Sequence, residues 1–452
     1  MFKKRFSVSL SKKIGKFNKI IKVDSDKSIS IRAFLISAIS QNISEIKNVL
    51  ESEDVLSCIN CLRKLGVNIK KIKSKHYIIY GKGLGSLYIK NNSTLNFGNS
   101  GTLARLLIGI LSTTPNIKVK IEGDHSLNKR NMSKLIDISN QFGAEFYPKN
   151  KNHFPLTMVS SNMPVCINYK AGVSAQLKSA VILAGLNSYG TTNILELDAS
   201  RNHTENIILA SKKVIEVKIF KKGFKKIKIF GKKNLSPIKL SIPSDPSSAA
   251  FITALTILNK NSKVQIKNVC LNTTRIGFYE ILKKHGAKIV FKNIKKKNNE
   301  TVGDIFVSSG KIKPIKADSK FYVKATDEYP VMFIIAALTK GISIFKGIND
   351  LKNKESNRIK EVQKILSQIG IKTTFNKNQI KIYGKIINDI KNKKINVPNL
   401  GDHRICMSVS ILSLLTGIRS NIKNFETVYT SSPQFLKTIK FLGGKFEVKK
   451  LS

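Results

Sequence analysis

The sequence lacks tryptophan, has few acidic residues and cysteines, and contains no long apolar run. Its five cysteines form an odd number without a disulfide pattern, which favours a reducing compartment. Cys58 and Cys61 form a C-x-x-C pair inside a predicted helix, and no second pair follows, so no zinc or redox site is expected there. The longest near-apolar stretch, residues 405–418, is too short to span a membrane. Residues 1–20 carry no continuous apolar segment, so no signal peptide is predicted and a cytoplasmic location is expected.

The scarcity of acidic residues leaves a large excess of positive charge. Lysine and arginine number 79 against 28 acidic residues, which gives a formal net charge of +51. This balance fits a nucleic-acid-binding protein, an enzyme with anionic substrates, or an AT-rich genome whose codons favour Lys, Asn and Ile. The lysines are spread over the whole chain, which favours codon bias. With 452 residues and 41% hydrophobic content, two globular domains are expected.

A weak internal repeat organises the chain. Six segments begin with a small or acidic polar residue and continue into an apolar helix, and consecutive starts are 74, 73, 73, 80 and 75 residues apart. The starts are counted from Lys27, Gly101, Ser174, Ser247, Asp327 and Asp402. A β-rich stretch, a second helix and alternating strands follow each first helix. In all segments but the third a glycine ends the second helix. The pattern predicts six βαβαββ-like units, three per domain, with a boundary near 243–246.

The helix starts themselves suggest anion binding. Ser, Thr, Asp and Gly are typical of helix N-termini, where unpaired N–H groups and the positive end of the helix dipole attract anions. The same residues could act only as helix caps. Basic residues close to the starts, such as Lys27 and Arg32, favour the anion-binding interpretation because they supply a point charge and a bidentate fork.

Eight short motifs carry the candidate chemistry. They read DSDKSISIR (24–32), NSGTLAR (99–105), GDHSLNKRNM (123–132), SAQLKS (174–179), SRNHTE (200–205), DEYP (327–330), KESNR (354–358) and DHR (402–404). In this order and at this spacing they are very similar to the EPSP synthase (3-phosphoshikimate 1-carboxyvinyltransferase) family. The resemblance covers residues from about 22 to 445. Each motif alone is weakly specific, whereas the complete set in register is strongly so.

The resemblance implies both the fold and the domain boundaries. The expected fold is α/β (α+β), a two-lobed enolpyruvyl transferase fold of six βαβαββ units, three per lobe, each lobe an inside-out α/β barrel. Residues 22–243 would form the N-terminal lobe, on the shikimate 3-phosphate side. Residues 1–21 together with 244–452 would form the C-terminal lobe, which holds the phosphoenolpyruvate side and the catalytic carboxylates.

The resemblance also implies which residues bind the two anionic substrates. Those expected to bind phosphoenolpyruvate are Lys27, Gly101, Thr102, Arg130, Gln176, Arg358 and Arg404. Those expected to bind shikimate 3-phosphate are Lys27, Ser28, Arg32, Ser174, Ala175, Gln176, Ser200, Arg201, Asp327 and Lys354. Asp124, His203 and Glu205 are expected to support the site without touching the substrates.

The implied reaction moves the enolpyruvyl group of phosphoenolpyruvate to the 5-hydroxyl of shikimate 3-phosphate, a step of aromatic amino acid biosynthesis. Asp327 is the expected base, Lys354 the group that stabilises the developing alkoxide, and Glu355 the proton donor. Lys27 belongs to the same catalytic set, and His403 would orient the acid or the leaving phosphate. No cofactor or metal is expected, because the six histidines are scattered. The enzyme is expected to be a monomer with no membrane partner and no dedicated nucleic-acid partner.

Several positions depart from the family pattern and place phosphoenolpyruvate binding in question. Ser25 stands where Gly is usual, Ile31 where His or Asn is usual, and Asn131 where Pro is common. Lys352 and Asn357 alter the phrase around 354–358. Residues 430–433 read TSSP where many members have KTFP, so a lysine that would help to hold phosphoenolpyruvate is missing. Either Thr430 or a nearby lysine replaces it, or phosphoenolpyruvate binding is weaker than in those members.

Two alternatives remain on the sequence. A transferase acting on UDP-N-acetylglucosamine would typically carry a cysteine in the loop at 123–132, which has none. An RNA-binding or RNA-end-processing protein of related fold is suggested by the charge, but aromatics interleaved with basic residues are sparse. Gly101 also matches the position at which a larger residue excludes glyphosate in the family, so sensitivity to glyphosate is expected.

Overall fold

Helices and strands alternate along the chain in the computed structural model, which describes residues 5–90, 93–220, 224–386 and 394–450. The strands are β1 (Phe6–Leu10), β2 (Asn18–Ile21), β3 (Ile43–Lys47), β4 (Asn68–Lys73), β5 (His76–Tyr80), β6 (Thr94–Asn96), β7 (Lys118–Glu122), β8 (Glu145–Tyr147), β9 (Leu156–Val159), β10 (Asn168–Ala171), β11 (Thr191–Glu196), β12 (Ile215–Ile219), β13 (Lys225–Phe230), β14 (Lys239–Ser241), β15 (Lys263–Cys270), β16 (Lys288–Lys297), β17 (Glu300–Ser308), β18 (Lys316–Ala317), β19 (Gly341–Lys346), β20 (Thr373–Asn376), β21 (Gln379–Gly384), β22 (Lys394–Val397), β23 (Arg419–Ile422) and β24 (Glu447–Lys450). The α-helices are α1 (Lys27–Ile39), α2 (Glu53–Lys64), α3 (Gly101–Ser112), α4 (His125–Asn128), α5 (Ser133–Gln141), α6 (Ala175–Gly185), α7 (His203–Ile208), α8 (Pro246–Leu258), α9 (Gly277–Lys284), α10 (Tyr322–Ala325), α11 (Tyr329–Ala337), α12 (Arg358–Gln368), α13 (His403–Thr416) and α14 (Phe435–Phe441). The predicted α/β class is confirmed.

Six four-stranded sheets share one topology. Their strand orders are β14-β3-β5-β4, β6-β7-β9-β8, β10-β11-β13-β12, β2-β15-β17-β16, β18-β19-β21-β20 and β22-β23-β1-β24. In every sheet the first strand runs parallel to the second, and the second runs antiparallel to its other neighbour. A parallel pair needs a crossover connection, which a helix provides in a βαβ unit. The six sheets therefore correspond to the six repeats predicted from the sequence.

The chain divides into two compact units. Unit N comprises Ser25–Ile242 with the short segment Lys296–Glu300, and unit C comprises Met1–Asp24, Pro243–Lys295 and Thr301–Ser452. The chain thus leaves unit C after Asp24 and returns to it at Pro243. Three of the six sheets belong to each unit.

Three strands complete sheets that lie far from them in the sequence. Strand β2 pairs in parallel with β15 in unit C, although α1 of unit N follows it directly. Strand β14 pairs in parallel with β3 in unit N, although α8 of unit C follows it. Strand β1 lies between β23 and β24, with Val8 opposite both Ile422 and Val448. The pairings of β1 and β2 explain why unit C is not one continuous stretch of the chain.

The first helix of each repeat lies in the interior of its unit. Helices α1, α3 and α6 of unit N contact one another, as do α8, α11 and α13 of unit C, and nearly all of their residues are buried. A helix that is apolar on all sides is stable only when it is surrounded by protein. At the α3–α6 contact, a Cβ on Gly109 would lie 2.6 Å from the carbonyl oxygen of Ala180, so only glycine allows this close approach. Within the described residues, no helix has the length and apolarity needed to cross a bilayer.

The helix ends largely follow the sequence expectations. Side chains of Asp26, Ser100, Ser174, Asp245 and Asp402 cap the first helices of five repeats. The fifth repeat differs, because α11 has Glu328 as its N-cap without a side-chain cap hydrogen bond, and Asp327 lies between α10 and α11. The five predicted helix-ending glycines, at 66, 143, 286, 370 and 443, all have positive φ.

Candidate active site

In unit N the starts of α3 and α6 are joined by side chains. Gln176 donates from Nε2 to Thr102 Oγ1 at 3.0 Å, and its Oε1 accepts a 3.0 Å hydrogen bond from Arg105 Nη1. Arg105 also donates to the carbonyl oxygen of Gly101. The predicted site residues that this cluster brings together are Gly101, Thr102, Ser174, Ala175 and Gln176.

Lys27 opens α1 and forms an ion pair that sequence reasoning missed. Its Nζ lies 2.8 Å from Asp54 Oδ2, and both side chains are largely buried. Asp54 lies in the first turn of α2, where an acidic side chain is also favoured by the helix dipole. The pair fixes the position of the Lys27 ammonium group while leaving it partly exposed. Ser28, the next residue, is half-buried.

Two guanidinium groups flank the start of α3. Arg130 donates from Nη2 to Asn99 Oδ1 at 2.9 Å, and Asn99 in turn donates to Asp124 Oδ2 at 2.6 Å. A Cβ built on Gly101 would lie 2.8 Å from Arg105 Nη1 and 2.9 Å from Arg130 Nη1. Two cations beside a helix N-terminus attract an anion strongly. The absence of a side chain at Gly101 gives both guanidinium groups their present positions.

Two residues assigned to the substrate, Arg32 and Ser200, are buried and engaged with protein groups. Arg32 donates from Nε to Thr204 Oγ1 at 2.8 Å and from Nη2 to Ser179 Oγ at 3.2 Å. Ser200 donates from its hydroxyl to Glu196 Oε1 at 2.7 Å. Arg32 therefore links α1 to α6 and α7. Ser200 is the buried neighbour of the half-buried Arg201 in the same loop.

A charged cluster lies behind these residues in unit N. Lys178 Nζ, in α6, lies 2.6 Å from Glu196 Oε1 and 2.7 Å from Glu205 Oε1, and all three side chains are buried. Burial lowers the pKa of Lys178, but the two carboxylates outweigh it, so the pKa is raised overall. Burial raises the pKa of Glu196, but Lys178 and the hydrogen bonds from Ser200 lower it by more. Lys178 and Glu196 are therefore both charged at neutral pH.

Glu196 should make the thermal stability of unit N depend on pH. Its folded-state pKa is below the unfolded value of about 4.3, so its contribution is fully present above that value and is lost as the pH falls through the folded-state pKa. We expect the deficit in Tm of Glu196→Gln relative to the original chain to be largest at about pH 6–8 and to shrink below about pH 4. Thermal unfolding across this range measures it. A deficit that does not vary with pH would contradict the assignment.

In unit C, Arg358 is held by two carboxylates. Its Nε lies 2.9 Å from Asp402 Oδ2, and its Nη2 lies 2.6 Å from Glu355 Oε2. Asp402 also accepts from the Arg404 backbone N–H and from Ser356 Oγ. One carboxylate thus caps α13 and orients the guanidinium. The predicted site residues Arg358, Glu355 and Arg404 meet here, and His403 is buried in the first turn of α13.

The charge of Arg358 is strongly stabilised. Burial lowers its pKa, but Asp402 and Glu355, with a further contribution from Asp327, raise it overall. Asp327 therefore lies within electrostatic reach of this arginine. Nη1 of Arg358 and Nε of Arg404 are buried and have no hydrogen-bond acceptor among the described residues. Buried N–H groups normally have acceptors, so these two are candidates for ligand binding.

Lys354 lies next to Glu355 but is held by a different residue. Its Nζ lies 2.6 Å from Asp350 Oδ2, which also accepts a 2.8 Å hydrogen bond from the Tyr322 hydroxyl. Burial raises the pKa of Tyr322, and the charges of Asp350 and Asp327 add to this effect. The phenol therefore remains protonated, and it connects Lys354 with the surroundings of Asp327.

A second buried network fixes the segment that contains Asp327. Arg275 Nη2 lies 3.2 Å from Asp245 Oδ1 and 2.9 Å from Ser247 Oγ. Ser247 in turn donates to Glu328, the neighbour of Asp327. The starts of α8 and α11 are thereby connected, and Asp245 and Arg275 have a structural role.

The departures from the family pattern are accommodated by local structure. Ile31 is fully buried in α1, and Asn357 caps α12 by accepting from the Lys360 N–H. Asn131 accepts from both the N–H and the hydroxyl of Ser133 at the start of α5. Ile31 therefore packs in the interior, and Asn131 and Asn357 accept hydrogen bonds at helix starts.

The TSSP segment at 430–433 is also well ordered by hydrogen bonds. The Thr430 hydroxyl donates to the carbonyl oxygen of Thr427, and the Ser432 hydroxyl donates to Asp24 at 2.8 Å. Thr430 is buried and its hydroxyl donates to the backbone, so Thr430 does not offer the positive charge that the missing lysine would supply.

Sequence reasoning missed several partners of the site residues. Asp54, Asn99, Lys178 and Asp350 each fix a predicted residue or its neighbour. Asp54 and Asp350 lie outside the motifs identified in the sequence, whereas Asn99 and Lys178 lie inside two of them without an assigned role. One clue was present for Lys178, because a lone charge in the otherwise apolar start of a buried helix requires an ion-pair partner. The identity of that partner depends on the tertiary fold.

Comparisons with known proteins first define the class. The structure matches the enolpyruvyl transferase NikO from Streptomyces tendae with a TM-score of 0.77 over 100% of both chains at 10% identity, which shows the fold alone. The predicted enolpyruvyl transferase fold is thus confirmed.

The family follows from closer matches. The family model for EPSP synthase (3-phosphoshikimate 1-carboxyvinyltransferase) matches residues 11–439. A 3-phosphoshikimate 1-carboxyvinyltransferase of Caldicellulosiruptor saccharolyticus is 38% identical over 93% of this chain and 95% of its own. An EPSP synthase structure from Acinetobacter baumannii has a TM-score of 0.84 at 32% identity and covers 98% of this chain and 100% of its own. The chain therefore belongs to the EPSP synthase family, as its motifs indicated.

Proposed function

We propose that this protein transfers the enolpyruvyl group of phosphoenolpyruvate to the 5-hydroxyl of shikimate 3-phosphate and releases phosphate. Family membership and the cationic side chains at the helix starts of both units support this reaction. We further propose that it acts as a monomer in the cytoplasm, where its five free thiols would remain reduced.

The observation that carries the proposal is the pair of buried N–H groups without acceptors in unit C. Arg358 Nη1 and Arg404 Nε belong to two residues that Asp402 binds, Arg358 through its side chain and Arg404 through its backbone N–H. A carboxylate or phosphate of phosphoenolpyruvate would supply the missing acceptors and balance the second positive charge. These two arginines can thus hold the anion even though the usual lysine is absent at residues 430–433.

The carboxylates of unit C would then perform the chemistry. Asp327 takes the proton of the acceptor 5-hydroxyl while the hydroxyl oxygen attacks C2 of phosphoenolpyruvate. Glu355 delivers a proton to C3. The tetrahedral intermediate loses phosphate, and C3 returns a proton as the double bond forms again. An anion that binds Arg358 competes with Glu355 for the guanidinium, which frees this carboxyl group for proton transfer. Lys354 stabilises the developing alkoxide, and His403 orients the leaving phosphate.

Unit N would bind the acceptor. Lys27, Ser174 and Gln176 lie at helix starts that are already joined by hydrogen bonds, so little ordering is required on binding. Arg201 adds a bidentate phosphate ligand. Ser200 and Arg32 hold these residues in place through their hydrogen bonds to Glu196, Ser179 and Thr204.

Phosphate release tests the function directly. The purified protein is incubated with phosphoenolpyruvate and either shikimate 3-phosphate or UDP-N-acetylglucosamine. We expect release only with shikimate 3-phosphate. Release with the nucleotide sugar alone would assign the chain to the other acceptor, and release with neither would refute the proposed reaction.

Gly101 should control binding at the start of α3. In Gly101→Ala the new Cβ would approach Arg105 and Arg130 within 3 Å, so both guanidinium groups must move. We expect the KM for phosphoenolpyruvate to rise about tenfold, which corresponds to the loss of roughly one charge-assisted hydrogen bond. Glyphosate should inhibit the original chain in competition with phosphoenolpyruvate, and this variant less strongly.

Steady-state kinetics with glyphosate as a competitor measure both effects. Gly15→Ala is a matched control, because Gly15, like Gly101, has no positive φ and a Cβ added there would meet no atom within 4 Å. Unchanged turnover of the original chain in a large excess of glyphosate would contradict the expectation.

A further inference from the structure

The buried cluster of Lys178, Glu196 and Glu205 is an unusual feature of unit N. Lysine and glutamate are rarely buried completely, yet the side chains of Lys178 and Glu196 have no exposed surface and Glu205 has 4%. Lys225 Nζ lies 3.7 Å from Glu196 Oε2 and adds a second positive charge. Two cations and two anions therefore balance within the cluster.

Such a cluster contributes little net stability to a core, because burying its charges has a large desolvation cost. Desolvation of buried charges often cancels their attraction, so apolar residues of similar volume would be as stable or more stable. Buried ion pairs instead impose one specific geometry on the segments that carry them. The cluster therefore fixes the segments that carry Lys178, Glu196 and Glu205 relative to one another.

The cluster joins three elements of unit N, α6, β11 and α7, which adjoin acceptor-binding residues at the start of α6 and in the loop at 200–201. Lys178 lies one turn after Ser174 in α6, and its N–H donates to the Ser174 carbonyl oxygen. Glu196 ends β11 and accepts from both the N–H and the hydroxyl of Ser200, at 2.9 and 2.7 Å. Glu205 lies in α7, directly after the loop that contains Arg201.

A second set of hydrogen bonds joins the residues next to the cluster. Ser179 and Thr204, the neighbours of Lys178 and Glu205, are hydrogen-bonded to each other at 2.8 Å, and both accept from Arg32. Helix α1, which opens with Lys27 and Ser28, is thereby joined to the same assembly. Every acceptor-binding residue proposed in unit N is within a few residues of one of these contacts.

We propose that Lys178 is a positioning residue for the acceptor: by holding Glu196 and Glu205 together, it fixes Ser200 and Arg201 relative to the start of α6. This inference rests on the proposed function, because it assumes that these segments bind shikimate 3-phosphate. Loss of the cluster should therefore weaken acceptor binding specifically. Binding of phosphoenolpyruvate by Arg358 and Arg404 should be unaffected.

The test uses two variants of the full chain. Glu205→Gln keeps an oxygen for Lys178 and is the milder change. Lys178→Met with Glu205→Gln removes one charge of each sign, so no uncompensated buried charge is introduced. Glu51→Gln is the matched control, because Glu51 is another carboxylate of unit N that pairs with a lysine, Lys71, at 2.8 Å, but away from the cluster. Steady-state kinetics give kcat and both KM values, calorimetry gives the Kd for shikimate 3-phosphate, and Tm is measured for each.

We expect the double variant to raise the Kd and the KM for shikimate 3-phosphate at least tenfold. Glu205→Gln should raise both constants about threefold. The KM for phosphoenolpyruvate should change less than twofold in either variant. The control should lose Tm without changing either KM. An acceptor Kd within twofold of the original chain in both folded variants would overturn the proposal, as would equal changes in both KM values. If the original chain binds shikimate 3-phosphate without turnover, only the proposed reaction fails; if it does not bind it, both proposals fail.

Discussion

Asp327→Asn is expected to lower kcat by about 10³-fold, because an amide cannot accept the proton of the acceptor hydroxyl. The substitution preserves the size of the side chain, and Asp327 lies between α10 and α11 without acting as the N-cap of either helix. The fold should therefore be retained. The KM for phosphoenolpyruvate should change little, since Arg358 keeps both Asp402 and Glu355.

Single-turnover and steady-state kinetics distinguish a lost base from slower product release. Asp318→Asn is the matched control, because Asp318 is exposed in the same unit and makes no side-chain cap hydrogen bond. It should leave kcat unchanged. If Asp327→Asn retained more than a tenth of the original kcat, Asp327 would not be the base.

Asp402→Ala is expected to lower the free energy of unfolding by about 3–5 kcal/mol, since it removes one partner of a buried ion pair. Arg358 is almost completely buried and would retain only Glu355. The same substitution removes the side-chain cap of α13, which alone is worth about 1 kcal/mol. The two losses act on the same helix start, so they should not be simply additive.

Urea unfolding followed by circular dichroism and tyrosine fluorescence measures this loss, since the chain has no tryptophan. Glu361→Gln is the control, because Glu361 pairs with the exposed Lys364 at 3.0 Å. It should cost less than about 0.5 kcal/mol. A loss below about 1 kcal/mol for Asp402→Ala would mean that the pair contributes only to local geometry.

The repeat was readable from the sequence because its signals are local. Five of the six first helices start with a capping side chain and all six are largely buried, and both properties leave a signal in a window of a few residues. The exchange of strands β1, β2 and β14 was not readable in this way, because a strand of four or five residues does not specify its partner. Strand β2 pairs with residues that lie more than two hundred positions away. Only the resemblance to a family suggested that the N-terminal segment belongs with the second half.

The site shows the same division. Charged residues within motifs, such as Lys27 and Arg358, were identified because their spacing resembles a family pattern. Their partners Asp54 and Asp402 could not be inferred as partners, since the ion pairs join elements that are separated in the sequence. Burial was equally unreadable: Arg32 and Ser200 occupy motif positions, but tertiary packing turns both side chains toward protein groups.

The placement of strands β1 and β2 has a consequence for synthesis on the ribosome. Nearly all of unit N is one continuous stretch, so it can fold once about the first half of the chain has emerged. The first two strands are made earliest but have no partners until β15, β23 and β24 follow. They must remain unpaired while the rest of the chain is translated. Chaperones that shield exposed strands should therefore act on β1 and β2 of the nascent chain, and truncation after unit N should leave a folded unit preceded by two unpaired strands.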